Sequence, residues 1–363
     1  MTTTQRSTSP ITSPITPSIK NAEVPFNWVG PVLLKGDIDN ELIDLPLATY
    51  EQPLWPSVNR GARVSKKAGG IDVTLIDERM SRSILLQAPS ASQALQLSNE
   101  LKSNLSALQN IVASSSRFAE LINIHSRIIG DLLYLRLEFT TGDASGHNMV
   151  THAADHIMRH LLETKADFKY VSISGNYCTD KKVSAVNAIL GRGKNVVAET
   201  TLPRSLVKRY LKTTPEAFVD LHIKKNLIGS IISGGLLTAN AHAANMLLAF
   251  YLATGQDAAN IVEGSQVVNH SEVRNGDLYF STSCPNLIVG SVGNGKDLDF
   301  VDTVMQHIGC RKEGVEAGVN ARRLALIAAS CVLCGELSLL AAQTNEGELM
   351  QSHLKLERQN LES

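Results

Sequence analysis

The chain has 363 residues, of which 43% are hydrophobic, so it is long enough for two domains with a substantial core. Its 34 Lys and Arg residues nearly balance its 35 Asp and Glu residues, so no overall charge would attract nucleic acid or an anionic membrane. Any anionic ligand must therefore be bound by a local group of cations. The five cysteines are odd in number and widely spaced, which is typical of reduced thiols in the cytoplasm rather than of a disulfide framework.

The first predicted strands follow a polar leader. Residues 1–25 are rich in Thr, Ser and Pro and contain no apolar stretch typical of a signal peptide, so we expect a disordered leader. From Val32 onward, short apolar runs alternate with Gly, Pro and Asn, which predicts the strands and loops of a mixed sheet.

Residues 84–173 show a clearer order of elements. Strands are predicted at "ILLQAP", "RFAELINIHSRII", "DLLYLRLEFTT" and "YVSIS", with one helix at "SASQALQLSNELKSNLSALQNIVASS" and another at "ASGHNMVTHAADHIMRHLLET". The resulting order, βαββαβ, is that of a ferredoxin-like unit. His152, His156 and His160 on the second helix span about 12 Å, which is too far to chelate one ion, so we expect a solvated face and no metal site.

Residues 174–343 are predicted to be mainly helical, with one strand-like insert at "GDLYFSTSCPNLIVGSV". Gly335 and Glu336 interrupt "LALIAASCVLCGELSLLAA", which leaves too few apolar residues for a membrane span. Cys331 and Cys334 have no second Cys or His pair nearby, so buried thiols are favoured over a zinc or redox site. We expect an α/β (α+β) fold: a helix-rich body of residues 26–83 and 174–343, an inserted βαββαβ domain of residues 84–173, and a C-terminal tail of residues 344–363.

Two glycine-rich turns are suited to close approach of a ligand. In "TTGDASGHNMV", small residues join a strand to a helix, where exposed backbone N–H groups favour a diphosphate. Spacing alone favours an ordinary helix cap by Asp143 or Ser145. The second turn, "IVGSVGNGK", is equally open to a ligand and is also more common as a plain loop.

Six segments occur in one order along the chain: "ATYEQPLWPSVNRG", "SGNYCTDKK", "IKKNLIGS", "NAHAAN", "ATGQDAAN" and "ELMQSH". This set resembles the 3-hydroxy-3-methylglutaryl-CoA (HMG-CoA) reductase family, and is closer to its eukaryotic and archaeal class, from about Val29 to about His353. The resemblance implies a two-step, NADPH-dependent reduction of HMG-CoA to mevalonate and CoA for isoprenoid synthesis. It also implies that the small domain binds NADP and that the body binds the substrate.

The resemblance assigns four catalytic residues. Lys181 stabilises the oxyanion that each reduction step develops, since an ammonium acts strongly where water is excluded. Glu51 gives a proton to the aldehyde oxygen, which requires burial to raise its pKa. Asp257 links Glu51 and Lys181 by hydrogen bonds. His353, in the C-terminal tail, protonates the departing CoA thiolate.

The resemblance also assigns ligand contacts. Arg117 corresponds to the contact with the extra phosphate of the cofactor, which favours NADPH over NADH. The other implied cofactor positions are Asp143, Ala144, Gly146, His147, Asn148, Gly290 and Gly293. The implied substrate positions are Arg82, Ser174, Asn176, Asp180, Lys182, Lys225, His242 and Asn245.

Both cofactor turns depart from the family pattern. The family sequence Asp-Ala-Met-Gly-Met-Asn has Ser145 and His147 in place of its methionines here. The family sequence Gly-Thr-Val-Gly-Gly-Gly-Thr here has Ser291 for its first Thr, Asn294 for one Gly and Lys296 for its last Thr. Backbone contacts with a diphosphate are expected to survive these changes, and His147 is expected to lie at the cofactor.

The family implies a homodimer, or a higher homo-oligomer, with active sites between subunits. We expect a cytoplasmic enzyme without nucleic-acid or membrane partners. Two other hypotheses stay open. One is a CoA-ester-binding protein without turnover, because the altered turns, and a family segment not recognised before "NWVGPVLLKG", affect the cofactor and the subunit contacts. The other is NAD-dependent oxidative degradation of mevalonate, against which Arg117 argues.

Overall fold

Two sheets that share one strand organise the protein, for which a computed structural model describes residues 22–348, 350 and 354. The shared strand is β3 (Ile71–Gln87). The larger sheet has the order β2 (Glu41–Ala48), β1 (Phe26–Gly36), β3, β7 (Gly193–Leu202), β9 (Asp277–Leu287), β8 (Val268–Arg274). The β1–β3 pair is parallel, and the other neighbours in this sheet are antiparallel.

The second half of β3 lies in a smaller antiparallel sheet. Its order is β4 (Glu120–Ile129), β5 (Leu132–Thr140), β3, β6 (Lys169–Ser172). The helices α2 (Ala91–Ser103), α3 (Leu105–Ser115) and α4 (His147–Thr164) pack on it around a separate hydrophobic core. This is the ferredoxin-like order that the sequence predicts, although the first predicted helix breaks in two at Asn104.

The body contains more strands than expected. The prediction of a single strand-like insert after residue 173 is wrong, because β7, β8 and β9 all lie there. In β7, alternate residues are buried, but these include Lys194 and Thr200, so a period-2 pattern of apolar residues is weak. The mixed α/β architecture itself is confirmed.

The remaining helices surround the larger sheet. Two segments, Val207–Leu211 and His222–Gly229, are π-helical, and Ala258–Asn260 is a 3₁₀ turn. The α-helices are α1 (Leu54–Lys67), α5 (Ala185–Leu190), α6 (Arg204–Leu206), α7 (Pro215–Leu221), α8 (Ser230–Ile232), α9 (Ala243–Ala253), α10 (Ile261–Gly264), α11 (Asp299–His307) and α12 (Val319–Gln343).

Helix α12 forms the centre of the body. By length and composition it could cross a membrane, but 94% of its most apolar window is buried inside the protein. The expectation that Gly335 and Glu336 leave the apolar run too short to span a bilayer is wrong, since one apolar helix continues through both residues. Glu336 is tolerated there because its carboxylate accepts hydrogen bonds from the backbone N–H groups of Ala241 and His242. Cys331 and Cys334 are buried free thiols in this helix, as predicted.

Candidate active site

The loop of residues 174–182 between β6 and α5 carries the predicted lysines. Asn176, Thr179 and Lys181 adopt left-handed backbone conformations with φ of 58°, 45° and 55°. Such conformations persist in residues other than Gly only when the surroundings hold them. Asn187 provides part of that support, because its side-chain amide donates hydrogen bonds to the carbonyl oxygens of Cys178 and Thr179. The fully buried Arg136 in turn donates to Asn187 Oδ1 at 2.7 Å.

Lys181 and Asp257 form an ion pair at the surface of this site. Lys181 Nζ lies 2.7 Å from Asp257 Oδ2, and both side chains are a little over 40% exposed. The hydrogen bond that Lys181 donates to Asp257 raises the pKa of Lys181. Burial acts to raise the pKa of Asp257, but the bonds from Lys181 and from the Ala259 N–H outweigh it and lower that pKa. Lys181 is therefore held as an ammonium near neutral pH.

Two buried residues that sequence reasoning missed support the same loop. Glu263 Oε1 accepts a hydrogen bond from the Lys181 backbone N–H at 3.1 Å and lies 2.7 Å from Arg192 Nη1. Arg192 Nη2 also lies 3.0 Å from Asp180 Oδ1. The one local signal for Arg192 is its place between Gly191 and Gly193, both of which have positive φ. Glu263 had no recognisable signal within a predicted helix.

Several polar atoms around Asp180 remain available to a ligand. Arg82 Nη1 is 3.9 Å from Asp180 Oδ2. Arg82 Nε and Ser83 Oγ are buried and have no hydrogen-bond partner among the described residues. Buried polar groups are normally satisfied, so the Arg82 Nε donor here fits an anionic ligand. Lys182, Ser174 and Asn176 belong to the adjoining loop, and Lys182 Nζ donates to the carbonyl oxygen of Asp180.

A second group of predicted residues consists of Glu51, Lys225, His242 and Asn245. Asn245 Nδ2 donates a hydrogen bond to Glu51 Oε2 at 3.0 Å, and His242 lies beside Asn245. Lys225 is half-buried, and burial lowers its pKa. Glu51 is exposed, so the expected burial of this carboxyl group is not provided by the described part of the chain.

No hydrogen bond or ion pair joins the two groups within residues 22–348. Asp257 pairs with Lys181, and Glu51 accepts a hydrogen bond from Asn245, but none links Asp257 to Glu51 in this range. The expected bridge from Asp257 to Glu51 is therefore absent from the described single chain. His353 lies outside the described residues.

The two glycine-rich turns, residues 142–147 and 290–296, are in direct contact with each other. Ala144 and Val292 pair as a parallel bridge, and a Cβ added to Gly290 would overlap the backbone of Ala144 and Ser145. Gly293 has φ of +100°, and no atom of the described residues lies within 4 Å of a Cβ built there. Close backbone approach therefore requires glycine at Gly290, while Gly293 leaves open space beside the turn.

The helix-cap alternative for Asp143 and Ser145 is wrong. Gly146 is the N-cap of α4, with φ of +92°, and no side chain among the described residues caps that helix. The Asp143 carboxylate instead accepts hydrogen bonds from the N–H groups of Gly318 and Ala321, and so caps α12. The first turn of α4 therefore has backbone donors that no side chain of residues 22–348 caps.

His147 connects this turn with the lysine loop. Its Nε2 lies 3.6 Å from Asp180 Oδ1. Burial, assisted by the nearby Arg192, lowers the pKa of His147 to about 4, so the imidazole is neutral near pH 7. Asn148, the next residue, is exposed and lines a surface cavity with Tyr170. Arg117 is exposed on the loop between α3 and β4, where its guanidinium lies over the Phe118 ring.

Comparison with known proteins assigns the chain to a family. Residues 12–358 match the family model described as hydroxymethylglutaryl-coenzyme A reductase. The chain is 44% identical over 322 residues to the 3-hydroxy-3-methylglutaryl-coenzyme A reductase of Pyrococcus abyssi, covering 88% of this chain and 79% of that protein. The protein of the same name from Aeropyrum pernix is 43% identical over 340 residues, with coverage of 93% and 80%.

A solved structure shows the same fold. It is the class II 3-hydroxy-3-methylglutaryl-CoA reductase from Streptococcus pneumoniae bound to NADPH, with a TM-score of 0.71 and 18% sequence identity. The alignment covers 90% of this chain and 86% of that chain. The family suggested by the sequence motifs is thus confirmed, and the chain belongs to the hydroxymethylglutaryl-coenzyme A reductase family.

Proposed function

We propose that the protein reduces HMG-CoA to mevalonate and CoA, consuming two NADPH and two protons. The observation that carries this proposal is the Lys181–Asp257 ion pair beside the buried Arg192–Glu263 pair, in a member of this reductase family. NADPH, when bound, supplies the hydride of each step. The residues of the chain supply charge stabilisation, protons and binding.

Lys181 is the electrostatic catalyst in this proposal. Hydride addition to the thioester carbonyl places negative charge on oxygen, and a fixed ammonium stabilises that charge. The hemithioacetal then collapses to an aldehyde, its C–S bond breaks, and the CoA thiolate takes a proton from His353. After the second hydride addition, Glu51 gives a proton to the oxygen that becomes the mevalonate hydroxyl.

The substrate carboxylate binds on the face formed by Arg82, Lys182 and the loop of residues 174–180. The Arg82 Nε, which has no hydrogen-bond partner among the described residues, supports this assignment, because an anion would satisfy a group that otherwise stays buried without one. The remaining proposed substrate contacts belong to the group around Glu51 and are Lys225, His242 and Asn245.

NADPH binds between the ferredoxin-like unit of residues 84–173 and the glycine turn of the body. The bare N-terminus of α4, the close contact at Gly290 and the open space at Gly293 form a cradle that fits a diphosphate. Asp143, Ala144, Gly146, His147 and Asn148 line its first turn. Arg117, exposed at the end of α3, is the proposed contact for the 2′-phosphate.

A second copy of the chain completes the site in the proposed homodimer. Glu51 is exposed and forms no hydrogen bond or ion pair with Lys181 or Asp257 within residues 22–348, so the burial and the contact that its catalytic role requires must come from elsewhere. An apolar surface between residues 222 and 232 supports such an assembly, since Ile223, Ile228, Ile231 and Ile232 are 44–82% exposed. A cytoplasmic location without membrane or nucleic-acid partners accompanies this proposal.

The proposal is tested with purified protein, HMG-CoA and either NADPH or NADH, with the products identified by mass spectrometry. Formation of mevalonate and free CoA, faster with NADPH, supports the proposal. Thioester binding without any oxidation of either cofactor would favour a binding protein, and a preference for NADH over NADPH would favour the NAD-dependent oxidative alternative.

A further inference from the structure

Lys296 is a buried lysine at a turn where the family pattern has a threonine. The residue is 5% exposed, and its Nζ donates hydrogen bonds to the carbonyl oxygens of Gly255 and Asn294 at 2.6 and 3.4 Å. No carboxylate of residues 22–348 forms an ion pair with it. Burial of a charge without a counter-ion is costly, so this ammonium requires an explanation beyond packing.

The partner carbonyl lies on the turn that carries Asp257. Gly255 has φ of +62°, and a Cβ there would overlap Gly295 O, so the two turns touch backbone to backbone. A further hydrogen bond joins the same two turns: the Gly290 N–H donates to Gln256 Oε1 at 2.9 Å. Asp257 follows directly, with Oδ1 accepting from the Ala259 N–H and Oδ2 bonded to Lys181.

The surroundings of Lys296 connect its charge to Asp257. Burial, and then Arg311, lower the pKa of Lys296 to about 8, while Asp257 and Asp297 oppose that shift. Further charged residues line the cavity beside it: Asp299, Asp302, Lys312 and Glu313. The attraction is mutual, so an ammonium at Lys296 favours an ionised Asp257 in the position that holds Lys181.

We propose that Lys296 is a positioning residue, which acts through the Gly255 carbonyl to hold the Asp257 carboxylate against Lys181, and that it acts as an ammonium. The proposal deepens the proposed reductase function and rests on it for its catalytic consequence. Its structural part does not depend on turnover, because it concerns the environment of the Lys181 amine.

The test measures how fast an N-hydroxysuccinimide ester acylates Lys181 at pH 7, where Lys296 is mostly an ammonium, by peptide mass spectrometry, with the exposed neighbour Lys182 as internal reference. Asp257 raises the pKa of Lys181, so loss of the pair exposes more free amine. We expect Lys296→Met and Asp257→Asn to raise the Lys181/Lys182 rate ratio at least about threefold, and Lys296→Arg to leave it near the native value. An unchanged ratio in Lys296→Met, with a raised ratio in Asp257→Asn, would overturn the proposal.

Two further measurements distinguish failure of this proposal from misfolding of the variant, from a direct cofactor contact and from failure of the proposed reductase function. If Lys296→Met does not fold, the native protein decides, since its Lys181/Lys182 ratio should rise through pH 8 as Lys296 loses its proton, and a flat ratio rejects the proposal. In steady-state kinetics, Lys296→Met should lower kcat and leave the KM for NADPH unchanged, whereas a raised KM alone would indicate a cofactor contact instead. A native protein with no reductase activity refutes the proposed function and leaves the acylation result to stand alone.

Discussion

Arg192 Nη1 lies 2.7 Å from Glu263 Oε1, and both side chains are completely buried beneath the loop that carries Lys181. Glu263 also accepts a hydrogen bond from the Lys181 backbone N–H. The same carboxylate therefore pairs with the buried Arg192 and holds the backbone of Lys181. Removal of one partner of a buried ion pair leaves the other charge without compensation. Stability and activity are therefore coupled at this pair.

Glu263→Ala should destabilise the protein by about 3–5 kcal/mol, because Arg192 would remain buried without its principal partner. The free energy of unfolding, from urea denaturation, is the quantity to measure. The exposed Glu163→Ala serves as the matched control and should change little. A Glu263→Ala variant as stable as the native protein would show that Arg192 is satisfied by Asp180 alone.

Acid should destabilise the fold through His147. Its pKa is about 4 in the folded protein and about 6.5 when unfolded, so below pH 6.5 the unfolded state binds more protons. Stability is then lost as the pH falls from about 6.5 to about 4, by up to roughly 3 kcal/mol from this residue. His222 has the same pKa shift, again mainly from burial, and adds to the effect.

The contribution of His147 is isolated by comparison of thermal unfolding between pH 7.5 and 4.5 for the native protein and His147→Met. The variant should lose less stability across this range. Parallel curves for the two proteins would mean that His147 titrates normally.

Glu51 and Lys181 provide a test of the shared active site. Glu51→Gln and Lys181→Ala should each be inactive alone. If one subunit supplies Glu51 and the other Lys181, coexpression of the two variants gives mixed dimers with one intact site, and about a quarter of native activity returns. A mixture that stays inactive, with mixed dimers present by native mass spectrometry, would place both residues in one chain.

The contact between the two glycine turns predicts the effect of Gly290→Ala. The added methyl group would overlap the backbone of Ala144 and Ser145, which should separate the turns. We expect NADPH affinity, measured by titration calorimetry, to fall at least about tenfold, or about 1.4 kcal/mol. Gly229→Ala is the control, because nearby atoms leave room for its Cβ. Equal affinities for Gly290→Ala and the native protein would contradict the proposed cradle.

Local sequence patterns predicted those structural elements that depend on residues close together in the chain. The ferredoxin-like unit followed from periodicity and turns, whereas β7 was missed because buried Lys194 and Thr200 break the apolar alternation. Family motifs pointed to Lys181 and Asp257, and the structure brings these two together. The Arg192–Glu263 pair joins residues 71 positions apart, so nothing in its local sequence indicates it. Likewise, Asp143 as the cap of a helix that begins near residue 319 depends on tertiary packing.

The most direct test of the whole account is the number of NADPH molecules oxidised for each CoA released from HMG-CoA, in the native protein and in Lys181→Met. The account predicts two NADPH per CoA for the native protein and a loss of about 10²-fold or more in kcat for a folded Lys181→Met variant. A native protein that oxidises no NADPH, or a Lys181→Met variant with nearly native kcat, would contradict it.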